Sequence, residues 1–189
     1  MSGGMRPAVV ERLGERIRAA RQELDLSVGS LAELSDVSRR MLTQIELGQA
    51  NPSVAILDRI AAGLGTTFAA LMGVGADDAP EGVEIWSTDA GSWAVLLDAM
   101  DAPAVSVETW KWKLLGEDVY RGSAGGAQPG IMLHVIEGAL EVVRADGAQV
   151  IEAGGSARLV ANGEYGYRAR DAQAAVFLSV ALMPRPVRG

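Results

Sequence analysis

The chain contains no cysteine and a single histidine in 189 residues. Without a thiol, disulfides and thiolate metal sites are excluded, and a reducing cytoplasm is the compartment that fits. With His134 alone, a Ser-His-Asp unit could only be assembled around that one imidazole, and no nucleophile-elbow pattern stands near it. No run of about eighteen apolar residues occurs, so no membrane-spanning helix is expected. The N-terminus lacks the basic-then-apolar order of a secretory leader, and Met1 to Met5 form no pattern and are expected to be disordered. An excess of positive charge is missing too: 17 Lys and Arg stand against 24 Asp and Glu, a formal net charge of −7. That balance is wrong for a protein that holds nucleic acid by bulk charge. The deficit is uneven. Residues 1–73 hold eight Arg against eight acids, whereas residues 74–189 hold nine bases against sixteen acids. Bulk attraction to polyanions should be weak, and any specific recognition would have to rest on one element of the neutral N-terminal part.

Residues 27–48 supply such an element. Leu31, Ala32 and Leu34 give a first short helix its buried side, and Val37 is the apolar residue of a tight turn. Ser38 stands where a helix N-cap belongs. In the helix that follows, Leu42 and Ile45 point inward, leaving Arg39, Arg40, Thr43 and Gln44 outside. Arg pairs bidentately with guanine and Gln with adenine, so these are base-reading side chains for a major groove. The layout is that of a helix-turn-helix. Val10, Leu13, Ile17, Ala20 and Leu24 describe an amphipathic helix over about residues 7–24 before it. Behind it, Gly48 stops the second helix and Asn51-Pro52-Ser53 caps another, whose core face is Ile56, Leu57, Ile60, Ala61 and Leu64. Gly65 ends that helix, and Thr66 or Thr67 caps a fifth carrying Phe68, Leu71 and Met72.

Residues 11–73 resemble the Xre (lambda-repressor-like) family of helix-turn-helix DNA-binding domains. The resemblance rests on Leu31-Ala32, Val37-Ser38-Arg39, Ile45-Glu46, Gly48, Asn51-Pro52-Ser53 and Leu64-Gly65, in register without gaps. It implies base contacts from Arg39, Arg40, Thr43 and Gln44, and phosphate contacts from Ser38 and Asn51. One position departs: the first residue of the first motif helix, usually a Gln that clamps the backbone, is Val28.

Residues 74–82 are small, acidic and punctuated by Pro80, and read as a linker between a domain at 7–73 and another at 83–185. Beyond it the period changes. Val105, Val107 and Thr109 alternate with Ser106, Glu108, Trp110 and Trp112. Short β-prone runs follow at 132–136, 140–143, 150–151, 157–160 and 174–182, separated by glycine turns that include Asp146-Gly147. This predicts an all-β sandwich or barrel. Trp110 and Trp112 share a strand face with Leu114, and Tyr165 shares one with Tyr167.

Residues 104–183 resemble the cupin family of small double-stranded β-barrels, through Leu115-Gly116-Glu117, His134 to Leu140, Asp146-Gly147 and Ala153-Gly154-Gly155-Ser156. Such barrels are often joined to Xre-type domains in bacterial regulators, where they dimerise and bind an effector. Matched outward from Gly138 and Gly154, the positions that hold metal ligands in metal-binding cupins carry Ile131, Tyr165 and the small residues of 123–126. His134 falls on the opposite strand face from Ile131. The resemblance therefore implies a barrel with neither metal nor other cofactor and no catalysis. Trp110, Trp112, Tyr120, Arg121, Ile131, Arg158 and Tyr165 are its candidate effector contacts, suited to an organic molecule, an anionic one included. The sequence is read as a multidomain α + β chain with a five-helix head and a cupin-like barrel. Its expected role is that of a cytoplasmic homodimer binding double-stranded DNA at a palindromic operator, with a small-molecule effector and no membrane partner. Two alternatives stand beside this: a constitutive repressor or antitoxin-like protein whose barrel only dimerises, and a cupin enzyme with DNA binding added.

Overall fold

Serine and threonine start four of the five helices. In the computed structural model, which describes residues 5–74, 82–102, 105–123, 130–160 and 163–184, the helices are α1 (Pro7–Glu23), α2 (Val28–Leu34), α3 (Arg39–Glu46), α4 (Val54–Leu64) and α5 (Phe68–Met72). Ser27, Ser38, Ser53 and Thr67 each accept the backbone N–H three residues on, satisfying a donor that has no partner within the helix. Helix α1 begins instead with Pro7, whose missing N–H costs nothing there. Val9, Val10, Leu13 and Ile17 of α1, Leu31 of α2, Leu42 and Ile45 of α3 and Leu57 and Ile60 of α4 form the centre of this head. Helices α1 and α3 approach closely at Gly14, where a Cβ would stand 2.4 Å from the Ile45 carbonyl oxygen.

Two expectations for the head are corrected. Leu34 is 60% exposed; the inner position one turn on from Leu31 is taken by Ser35, 2% exposed, which fits against Gly63 of α4. Helix α2 has only seven residues, so its buried face is a narrow strip that Leu34 misses. Met5 is buried and meets Asn51 through its backbone, so order begins before α1. Residues 1–4 lie outside the described residues, as do 75–81 of the expected linker and 124–129 of the glycine-rich segment.

The remaining elements are strands: β1 (Val83–Ser87), β2 (Trp93–Ala102), β3 (Val105–Leu115), β4 (Val119–Ser123), β5 (Gly130–Arg144), β6 (Gly147–Glu152), β7 (Ser156–Val160), β8 (Glu164–Ala169) and β9 (Ala174–Pro184), with a single 3-10 turn at Arg170–Ala172. They form one curled antiparallel sheet in the order β1-β2-β3-β9-β5-β8-β4, with β6 and β7 also paired to β5. Five helices followed by a curled all-β half-barrel is the architecture the sequence implied. Strands β1, β2 and β4 lie outside the runs that alternation singled out. In β2 a bulge between Leu96 and Asp98 shifts the phase, which hides the period of two.

Strand β5 makes the curl. Its first half pairs with β7 and β9, and its second half, from Ala139, with β6 and β8. The change of direction falls at Gly138, where φ is +72° and a Cβ would stand 1.9 Å from the Ala174 carbonyl oxygen. Only glycine fits both the backbone angle and the close approach. Gly138→Ala should therefore destabilise the fold by about 2–3 kcal/mol, read as a lower urea midpoint. Gly154→Ala, with φ of +81° and nothing within 4 Å of the added carbon, should cost only the backbone part, about 1–2 kcal/mol.

Candidate nucleic-acid interface and the concave face of the sheet

Helix α3 is held from behind by a buried ion pair. Arg21 of α1 donates Nε to Glu46 Oε1 at 2.7 Å and Nη2 to Oε2 at 2.9 Å, and its Nη1 reaches the Leu26 carbonyl at 2.8 Å. The two side chains are 11% and 6% exposed, and the carboxylate holds the guanidinium pKa above its ordinary value. Such a bidentate pair fixes orientation as well as distance. From α4, Arg59 Nη1 donates to the Asp36 carbonyl at 2.7 Å, closing the turn between α2 and α3, where Asp36 adopts a φ of +50°.

With its inner side fixed, α3 presents the expected set. Ser38, Arg39, Arg40 and Thr43 are exposed and Gln44 is half-buried at the edge. Arg39 lies back over Gly29 of α2, within 2.6 Å of where a Cβ there would stand. Thr43 donates its hydroxyl to the Arg39 carbonyl, and Ser38 caps the helix. Asn51 is exposed beyond the end of α3. Val28, which stands where a polar clamp would, is half-buried and packs on the core of the head.

The sheet's concave face carries the second group of candidates. Ser106, Glu108, Trp110, Trp112 and Leu114 of β3 point inward, paired across β9 with Met183, Ala181, Ser179, Phe177 and Ala175. Ile131 follows Ala181 in the same row. The rings are in contact: Trp112 lies 4.6 Å from Tyr120, 5.7 Å from Phe177 and 5.6 Å from Tyr167. Trp110 donates to Glu108 at 3.1 Å and Trp112 to Ser179 at 3.0 Å. The structure thus brings Trp110, Trp112, Tyr120, Ile131 and Tyr165 to one face. Arg121 and Arg158 are exposed and belong to the other, since each follows or precedes a residue that points inward, Tyr120 and Leu159. Ile131 and Tyr165 do not make a metal donor set. His134 is exposed on the convex side, 2.9 Å from Ser156 Oγ.

The helical head closes this face. Phe68 of α5 stacks on Trp110 with ring centroids 6.2 Å apart and planes 8° from parallel. At the rim, Arg6 and Glu84 form an ion pair of 3.0 Å. Asp58 of α4 also comes to the sheet, and its charge is felt by Tyr120 and Tyr165. Burial pushes the Asp58 carboxyl up to about 6. Burial, followed by the charges of Asp58 and Glu108, pushes the Tyr165 phenol up to about 12. Tyr120 is raised further, first by burial and then by Tyr165, Asp58 and Glu108, and Tyr167 is raised chiefly by burial. All three phenols are therefore neutral donors at physiological pH. Asp58, Glu108 and the stacking role of Phe68 were not singled out as functional from sequence. The inward phase of β3 could have pointed to Glu108; nothing near residue 58 points to the sheet.

Residues 17–71 match the family described as Helix-turn-helix (HTH_3). The immunity repressor protein of Bacillus phage phi105 is 39% identical over 61 residues, 32% of this chain and 42% of that protein. The match thus spans less than half the length of that curated relative. Among solved structures, an HTH_3 family transcriptional regulator from Vibrio cholerae superposes with a TM-score of 0.69 at 24% identity, covering 95% of this chain and 99% of that one. The helical head followed by the curled sheet is therefore a fold shared along nearly the whole chain. The hydroxypropylphosphonic acid epoxidase from S. wedmorenis matches 90% of this chain at 18% identity with a TM-score of 0.39, too distant to bear on chemistry.

A carboxyl whose pKa is raised on folding favours the folded state fully below its unfolded value, and loses that contribution as pH rises through the folded value. Ionised Asp58 should thus cost stability above about pH 6. Asp58→Asn is expected to stabilise the protein at pH 7.5 by about 1–3 kcal/mol, with the gain vanishing near pH 4, as read by urea unfolding at both pH values.

Proposed function

We propose, from the premise that residues 17–71 are a helix-turn-helix domain of the Xre-like class, that this protein is a dimeric, sequence-specific transcriptional regulator whose curled sheet senses a small organic molecule. The observation that carries the DNA reading is the outward set on α3, Arg39, Arg40, Thr43 and Gln44, on a helix braced by the Arg21–Glu46 pair. In this reading Ser38 and Asn51 hold phosphates while the four α3 side chains meet base edges. The head occupies residues 7–73 and the sensor residues 83–185.

A second copy supplies the second half-site of a palindrome, about 34 Å away. The convex face of the sheet supports such pairing. Met100, Val107, Leu182, Gly130 and Val160 form one cross-strand row, beside Met132. Met100 is 68%, Val160 58% and Met132 48% exposed. A contiguous apolar patch of this kind marks an association surface, and a two-fold contact would use it on both copies.

Sensing rather than catalysis is favoured by what the concave face brings together: aromatic rings, neutral phenols and a head resting on them, with the one His on the other side. Among the described residues no three His, Asp or Glu side chains gather as a metal site would require. The reading in which the sheet only dimerises draws support from the burial of Trp110 and Trp112 to 6% and 5% exposure. It would be preferred if no ligand changed operator affinity.

Two measurements test the proposal. After operator selection, Arg40→Ala and Gln44→Ala should each weaken specific binding by about 1–3 kcal/mol and relax preference at particular bases, seen by footprinting at fixed salt; unchanged affinity and preference for both would remove α3 from the groove. The double variant Val160→Glu, Met132→Glu should shift the protein from dimer to monomer in light scattering while keeping its circular dichroism. A persistent dimer would place the interface elsewhere.

A further inference from the structure

We infer that Arg39 is a phosphate clamp acting for helix α2, and not a reader of base edges. This rests on the DNA reading of α3 and moves one member of its outward set from sequence recognition to backbone contact. The Arg39 guanidinium crosses from α3 to α2 and lies over Gly29. A Cβ added there would stand 2.6 Å from Nη2, 3.3 Å from Cζ and 3.4 Å from Nε. The charged group thus fills the place that any other residue's side chain would take.

In a helix-turn-helix the second helix enters the major groove while the first crosses the phosphate backbone. A helix in that position gains from a positive charge, and α2 has none of its own. Its seven residues, Val28–Leu34, hold one ionisable side chain, the acid Glu33. Val28, at the place of the expected polar clamp, packs on the core of the head. Ser27 and Ser30 are occupied with each other, their hydroxyls 2.8 Å apart and the Ser30 N–H donating to Ser27 Oγ at 3.0 Å. Arg39 supplies the missing charge from the neighbouring helix.

The surroundings leave that charge available. An open recess of about 810 Å³ lies between α2 and the turn, with Gly29, Glu33, Asp36, Ser38 and Arg39 in its lining. Asp36 is taken by Arg59 at 3.2 Å, and Arg39 has no ion pair among the described residues. Its guanidinium can therefore offer two parallel N–H groups to a phosphate that enters the recess. Gly29 makes the placement possible. Its backbone is ordinary α-helix with no positive φ, so no turn calls for glycine, and glycine weakens a helix relative to alanine. The room above its Cα is what Arg39 uses. Contacts made from there fix position without reading sequence, which leaves Arg40, Thr43 and Gln44 for the base edges.

The two kinds of contact leave different signatures. A lost phosphate contact weakens binding to all sequences alike and flattens the slope of log K against log salt by about 0.9 for each copy bound. A lost base contact relaxes preference at one position. The full chain is titrated by fluorescence anisotropy against the selected operator and its single-base-pair variants, at several salt concentrations. Arg39→Ala should weaken all of them by one common factor, at least about threefold, with that flattening. Arg39→Lys keeps the charge and should keep the slope. Gly29→Ala should cost affinity uniformly while Arg39 is present, and nothing further once Arg39→Ala is in place. Alanine favours a helix, so unfolding would not explain such a loss. Relaxed preference at one base pair in Arg39→Ala, an unchanged slope, or a Gly29→Ala effect that does not depend on Arg39 would overturn the inference. Arg40→Ala and Gln44→Ala keep the two readings apart. If they relax preference and Arg39→Ala does so too, α3 stays in the groove and only the clamp is lost. If none of the three changes preference or slope, α3 does not meet DNA and both readings fall.

Discussion

The parallel, offset packing of Phe68 on Trp110 joins two structures of opposite habit, and the arrangement of everything around it depends on that contact. A five-helix head is built from local hydrogen bonds and needs a short core. A curled sheet is built from distant pairings and leaves its inner face open at one side. Trp110 packs on Trp112 within the sheet and on Phe68 from the head. Placed together, head and sheet share one continuous apolar cluster that runs from Met5 in the head to Ala181 in the sheet. The energetic consequence is that sheet and head are not independent: whatever reshapes the inner face also changes the surface on which α4 and α5 rest.

The same head bears the opposite constraint on its far side. Helix α3 is fixed to α1 by Arg21 and Glu46 and by the close approach at Gly14, so its outward side chains move only as the head moves. A rigid element on one side and a carboxyl raised by burial, Asp58, on the other is a sensible division. The stiff end keeps the outward side chains of α3 in register, and the soft end is where a modest free energy can be gained or lost. The acidity of the chain fits this division. A net negative protein gains little from phosphate attraction, so bulk charge gives it little hold on a polyanion.

Most of the head was legible in the sequence because its signals are local. Caps, helix period and the glycine at the end of α4 each act within one turn, and the chain obeys them. Leu34 failed because a two-turn helix leaves the phase undetermined by one position. In the sheet, alternation located β3 and the inward Trp pair but not β1 or β2, where a bulge breaks the period. The arginines beside Tyr120 and Leu159 show the rule applied incompletely: the period that turns each neighbour inward turns Arg121 and Arg158 out. Asp58 was beyond reach for a different reason. Its surroundings are made by strands β3, β4 and β8, and no pattern within a helix records which strand will lie over it.

The double membership of β5 has a consequence for how the chain comes into being. That strand pairs with β6, β7, β8 and β9, and β3 also waits for β9, the last of the described strands. Long-range pairings of this kind form slowly, whereas the head's contacts lie close along the chain and form early. During synthesis the head is therefore complete, with α3 already braced, while the sheet still lacks the strand that ties its two halves together. For that interval the nascent molecule has a folded head whose Phe68 is not yet covered by the sheet. The order of manufacture leaves an apolar underside on a finished head until the sheet arrives to cover it.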